Sequence, residues 1–287
     1  MVVAENQAGH ATGPRARRTR CCVAAVVVAM VVLAGIAIIY PPPQYSFFVA
    51  GHAYGNPGTK RTGVYPPFRN AFETMRSDGS LAFGFLTGDA VCHATKQAFD
   101  ALDADLAALP VDVLRIAGNH ELNARPLFEA RYGKTWHSFE HQGDQFIILD
   151  GMAAQWSITG EQLTFLKAAL ANSRAGRNVF MFVHQILWWD SGHEFLGKVR
   201  PNSTDGLGDA PNYWSVIHPL LREAGSEVYV FAGDVGAFPE QVAFQHHTDG
   251  NVHLILSGMG GASDDNYVHV AVFADGSVEI AKQPLPR

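Results

Sequence analysis

The sequence predicts a mixed α/β fold in one large domain. Short apolar, β-rich runs alternate with segments of helical spacing. Several of those runs end in glycine followed by a metal-capable residue, the place where open α/β sheets keep their chemistry. Of 287 residues, 47% are hydrophobic, enough for a sizeable core.

The N-terminus is organised differently. Arg15, Arg17, Arg18 and Arg20 form a basic cluster, and no charge follows from Cys21 to Tyr40, where Pro41-Pro42-Pro43 takes over. About 20 apolar residues at roughly 1.5 Å each cross a ~30 Å hydrocarbon layer. The basic cluster is expected to stay cytoplasmic, which places the outer domain beyond the membrane. The run is longer than the ~7–15 residues of a signal-peptide core and lacks a small-x-small cleavage pattern, so an uncleaved anchor is favoured. Arg17-Arg18 is followed by Thr19-Arg20, not an apolar pair, and makes a weak export signal. The expected organisation is a tail (1–20), a transmembrane anchor (21–40) and the outer domain (45–287).

Within that domain, Tyr45 to Ala50 and Leu81 to Leu86 read as strands, and Thr95 to Leu109 as a helix with Phe99, Leu102 and Leu106 on one face. Val111 to Ala117 is the third strand. Trp136 to Phe139 and Gln145 to Asp150 read as a hairpin, and Glu161 to Ala175 as an amphipathic helix ended by Gly176. Further strands are expected at Asn178 to Val183, Glu227 to Ala232, Val252 to Leu256, Tyr267 to Phe273 and Ser277 to Ala281. The stretch from Ser191 to Asn212 is a long irregular loop, a type that is commonly functional.

Charge and cysteine content exclude some classes. The chain is −6 overall and its tail is +3, which leaves the outer domain at −9, a poor partner for nucleic acid. Cys92 is the outer domain's sole cysteine, so no disulfide staples it.

The strand ends carry the chemistry. His52 lies in Ala50-Gly51-His52, Asp89 in Gly88-Asp89, and Asn119 and His120 in Gly118-Asn119-His120-Glu121. His184 closes Phe180-Met181-Phe182-Val183, and Asp234 lies in Gly233-Asp234-Val235-Gly236. Asn119 offers a hard amide oxygen, and His120 serves as a ligand or a proton donor. Singly, each has an ordinary reading: Gly-Asp is common in turns, His184 fits a core histidine, Asp234 a turn acid, and His52 is evenly balanced. Other candidates read as background. His246-His247 suits a solvated turn, Asp264-Asp265 a loop, His269 a sheet face, His93 a pocket wall and Trp188-Trp189 packing. Gly258, Gly260 and Gly261 precede no helix and make no dinucleotide fingerprint.

In order and spacing these motifs resemble the calcineurin-like metallophosphoesterases, over nearly all of Tyr45 to Ala281. The resemblance implies a four-layer αββα sandwich of the metallo-dependent phosphatase type: two sheets flanked by helices, with five motifs at strand ends holding two metals. Two motifs depart from the family. Its first, Asp-x-His, is here Ala50-Gly51-His52; its fifth, Gly-His-x-His, is here Gly233-Asp234-Val235-Gly236. By position, one metal keeps Asp89, Asn119, His184 and Asp234, whereas the other keeps only His52 and Asp89. One firmly held divalent ion (Mn, Fe or Zn) is therefore expected, with Asp89 as bridging ligand and His120 as the proton donor near the leaving group. The activity implied is metal-dependent hydrolysis of a phosphate ester outside the cytoplasmic membrane. The alternative is a weakened or inactive relative that binds a phosphorylated or saccharide ligand.

Overall fold

The computed structural model describes residues 41–59, 61–173, 176–190, 192–193 and 196–286. The expected anchor, Cys21 to Tyr40, and the tail before it lie outside the described residues. Among those described, no helix is long and apolar enough to cross a membrane.

Eleven strands among the described residues form two sheets. The first holds β1 (Tyr45–Ala50), β2 (Leu81–Thr87), β3 (Asp112–Ile116), β10 (Asn266–Val272) and β11 (Val278–Pro284), in the order β11-β10-β1-β2-β3. The second holds β4 (His137–His141), β5 (Asp144–Ile148), β6 (Val179–Val183), β7 (Val228–Ala232), β8 (Phe244–Asp249) and β9 (Val252–Ser257), in the order β4-β5-β6-β7-β9-β8. Both sheets have a parallel block (β1-β2-β3 and β5-β6-β7-β9); antiparallel β10 and β11 extend the first on one side, and antiparallel β4 and β8 flank the second. Helices α1 (Pro66–Asn70), α2 (Phe72–Arg76), α3 (Lys96–Leu106), α4 (Asn119–Leu122), α5 (Arg125–Tyr132), α6 (Gly160–Ala171) and α7 (His218–Arg222) connect them.

Alternation along the strands builds the layers. Tyr45, Phe47 and Val49 of β1 point between the sheets, while Phe48 and Ala50 point to the helices, so β1 is apolar on both faces as a central parallel strand must be. The space between the sheets is filled by aromatic rings; Phe85 of one sheet stacks on Phe182 of the other with centroids 3.8 Å apart. Phe68, Phe72, Phe99 and Phe128 from α1, α2, α3 and α5 cover the outer face of the first sheet. Leu166 and Leu170 of α6 and Leu221 of α7 cover that of the second. The result is a mixed α/β fold of two facing sheets with helices on both outsides.

Element bounds follow local chemistry. The expected helix from Thr95 to Leu109 runs Lys96–Leu106, with the Thr95 hydroxyl accepting the Ala98 N–H as N-cap. The β4-β5 hairpin turns at Gln142 and Gly143, both at positive φ, as a two-residue turn of that hand requires. His246-His247 is a correction: it lies in the strand β8, not in a turn. β8 is an edge strand that pairs only with β9, so polar residues face solvent there.

The sheets meet at the C-terminal ends of their central strands. A Cβ at Gly51, just after β1, would lie 2.2 Å from the Ser257 carbonyl oxygen and 2.4 Å from the Gly233 Cα. Only glycine allows that approach, and it brings the ends of β1, β7 and β9 together.

Candidate metal centre

The ends of β1, β2, β3, β6 and β7 deliver His52, Asp89, Asn119 with His120, His184 and Asp234 to one place. Asp89 sits in the middle, and its two oxygens face different neighbours. Oδ1 lies 3.4 Å from His184 Nε2, and Oδ2 lies 3.9 Å from His52 Nε2 and 3.8 Å from His120 Nε2. His184 Nε2 in turn lies 3.1 Å from Asn119 Oδ1 and 3.8 Å from Asp234 Oδ1. Asp89, His184 and Asp234 each offer a ligand atom within 4.8 Å of the others, and all three residues are buried. The four side chains expected to share one ion thus converge, and His52 joins them across Asp89.

The three histidines are fixed in the same way. Nδ1 of His52 faces the Met259 carbonyl at 3.0 Å, that of His120 the Cys92 carbonyl at 2.6 Å, and that of His184 the Thr87 carbonyl at 2.8 Å. A carbonyl only accepts, so each Nδ1 carries a proton and each ring turns its Nε2 toward Asp89. Metal-binding histidines are oriented by such second hydrogen bonds.

Charges follow from burial and proximity. Burial favours the neutral form of His184, but Asp89 and Asp234 outweigh it and push the ring up to about 10. Burial alone would raise the Asp89 carboxyl; His184, His120 and His52 outweigh that and hold it well below the usual carboxylate range. Burial pushes Asp234 up to about 7, against the pull of His184. Burial lowers His52 to about 4 despite Asp89. A neutral His52 with Nδ1 committed cannot donate from Nε2, so it suits a cation and not a phosphate oxygen.

This donor set fits a divalent ion. Asp234 Oδ1 is fully buried and accepts no hydrogen bond, an expensive state for an acceptor unless something cationic meets it. The acids that hold a second proton on His184 would hold an ion in its place. The Oδ2 side of Asp89 fits a second ion less well. Ala50 packs into the apolar layer under the helices. Gly236 has φ +79°, and a Cβ there would lie 2.8 Å from the Ala243 Cβ. Ala50 offers no donor, and Gly236 has no room for the ligand that the resemblance would place there.

Two residues beyond those expected shape the site. Glu121, 2% exposed, accepts the N–H groups of Asp89, Ala90, Val91 and Gly118 at 2.8–3.0 Å. It holds Asp89 at φ +50°, a region costly for a non-glycine residue. Its sequence signal was an acid three residues after the helix-starting Gly118. Tyr54 packs its ring between His52 and His120, with centroids 4.4 and 5.1 Å away, and no sequence pattern marks it. Among the lesser candidates, Trp188 is core, His269 bonds Asp78, and Asp264 and Asp265 accept loop N–H groups away from the cluster.

No family model matches this chain, and no curated protein does. Solved structures with some likeness include Vps29 of Chaetomium thermophilum (TM-score 0.38, 10% identity, 84% of this chain and 98% of that one). Vps29 of Entamoeba histolytica follows (0.36, 11%, 84% and 99%). A conserved uncharacterized protein of Streptococcus pneumoniae, described as a predicted phosphoesterase, is also similar (0.33, 11%, 83% and 98%). Scores and identities this low leave the chemistry to be read from the side chains.

Proposed function

We propose that the domain is a metal-dependent phosphoesterase carried on the outer side of the cytoplasmic membrane. The observation that carries the chemistry is the convergence of Asp89, Asn119, His184 and Asp234, with a bare buried oxygen on Asp234. The basic cluster and the uncharged run from Cys21 to Tyr40 support the location.

Asp89, Asn119, His184 and Asp234 would hold one divalent ion, and His52 with Asp89 Oδ2 offers a weaker second position. A divalent ion supplies charge for a phosphoryl oxygen and makes a bound water more acidic. The chain's own groups do the rest. Asp89 keeps its negative charge and orients the three imidazoles. Glu121 keeps the Asp89 backbone in place. His120 is the partly exposed histidine of the cluster, with its side chain 28% accessible, while those of His52, Asp89, His184 and Asp234 are at most 3% accessible. Its Nδ1 is held by the Cys92 carbonyl, and the ring would donate a proton to a leaving-group oxygen.

A second reading, a ligand-binding relative with little turnover, is favoured by the apolar packing at Ala50 and the glycine-only geometry at Gly236. The test is a panel of aryl phosphomonoesters and diesters with the full-length protein and added manganese. Hydrolysis that Asp89→Asn removes supports the esterase. Saturable binding of a phosphorylated compound or saccharide without turnover supports the second reading, and neither outcome with any compound defeats both.

A further inference from the structure

The donor atoms that meet in the cluster are unevenly divided. Asp89, Asn119 and Asp234 bring oxygen, and His184 alone brings nitrogen. No sulfur joins the group among the described residues. The thiol of Cys92 instead lies 3.8 Å from His93 Nε2, while its carbonyl serves His120. Carboxylate and amide oxygens are hard donors that suit manganese and magnesium; imidazole and thiolate favour zinc. Two carboxylates also neutralise a divalent ion, which matters in a site this buried.

Asp234 is the member that tips this balance. Its backbone is pinned on both sides: its N–H donates to the His184 carbonyl at 3.0 Å, and its carbonyl accepts the Asn202 N–H at 2.9 Å. The side chain therefore has a fixed origin, and its Oδ1 is 3.8 Å from His184 Nε2 with no hydrogen-bond donor of its own. A new donor here would start from the same backbone position.

Resting on the metal-site reading above, we infer that Asp234 sets the ion preference of this centre, making it an oxygen-rich site for manganese or magnesium with weakened discrimination in favour of zinc. Zinc outbinds manganese at almost any N/O site, so the quantity that Asp234 controls is the ratio of the two affinities and not their order.

The experiment is competition binding of Mn²⁺ and Zn²⁺ to the full-length protein, read by manganese paramagnetic resonance and a chelating dye, with no assay of activity. Wild type, Asp234→His and Asp234→Cys are compared. The cysteine variant is smaller than aspartate, so it needs no new space if the imidazole does not fit. Both variants should raise the Zn:Mn affinity ratio by at least about tenfold over wild type, because a softer donor replaces an oxygen. If wild type binds ions and the ratio stays within about threefold of its value in every folded variant, the role of Asp234 is overturned while the metal site stands. If wild type binds neither ion, the metal-site reading itself falls, and the inference falls with it.

Discussion

The carboxylate of Glu121 accepts the backbone N–H of Asp89 at 2.9 Å, and through that bond one buried acid fixes the position of another. Oε2 takes the Asp89 and Gly118 N–H groups and Oε1 those of Ala90 and Val91, so all four donors point at one side chain. Burial and Asp89 both push the Glu121 carboxyl up, and the N–H groups oppose them. Glu121→Gln has a nearly identical shape but sets an NH₂ against two of the four donors. It should destabilise the protein by about 2–3 kcal/mol. Urea unfolding checks this, with an unchanged m-value expected. A loss below about 0.5 kcal/mol, the level of an ordinary surface change, would show that the carboxylate is not needed.

Asp89→Asn keeps the shape of the central side chain and removes its charge. Three imidazoles then lose the acid that orients their Nε2 atoms at 3.4–3.9 Å. Ion affinity should fall by more than the roughly 10–100-fold typical of a residue that only orients a ligand. Elemental analysis after dialysis reads this directly. A variant that keeps its ion and its rate would remove Asp89 from the centre.

Gly236→Ala and Gly236→His both put a Cβ where φ is +79° and the Ala243 Cβ is 2.8 Å away. Each should cost about 1–3 kcal/mol of stability from backbone strain alone. The histidine should also fail to add a second ion, because its Cβ cannot be placed without moving the loop. Thermal melts and metal content test the two halves separately. A stable Gly236→His protein with two tightly held ions would refute the steric account.

Asp78 gives a pH prediction away from the metal cluster. Burial alone would raise its carboxyl, but hydrogen bonds from Ser46 (2.5 Å), Ser80 (2.6 Å) and His269 (2.8 Å) outweigh that and hold it below the usual range. These groups tie the loop after α2 to β1 and β10. A carboxyl whose folded value is depressed stabilises the protein above its unfolded value of about 3.9 and loses that contribution as pH falls through the folded value. Asp78→Asn should therefore cost about 1–3 kcal/mol at neutral pH, and the gap from wild type should shrink below about pH 4. A gap that stays constant down to acid would mean the carboxyl is not held as its hydrogen bonds indicate.

Much of this centre was legible in the sequence because parallel strands place chemistry at their C-terminal ends. The runs before His52, Asp89, His184 and Asp234 are apolar on both faces and stand out from their surroundings, while β3 before Asn119 carries Asp112 and Arg115. Features that depend on tertiary contacts did not stand out. α1 and α2 have five residues each, too short for a helical period, although Pro66 and Pro67 mark the start of the first. β8 reads as a turn because an edge strand with a solvated face carries polar residues. Tyr54 and the fourfold acceptor role of Glu121 exist only once β1, β2 and β3 are side by side.

His120 separates proton donation from ion binding. Its Nε2 is 3.8 Å from Asp89 Oδ2, and its ring is fixed through Nδ1, but it is not among the four side chains that share Asp89 Oδ1 and Asp234. His120→Gln should leave the bound ion in place. It should slow esters with poor leaving groups, such as alkyl phosphates, by about 10²–10⁴-fold, the usual contribution of a positioned general acid. Nitrophenyl esters leave as stable anions and need little protonation, so their rate should fall by less than about tenfold. Equal losses on both ester classes would mean that His120 positions the substrate or the ion and does not donate a proton. Loss of the ion itself would make it a ligand.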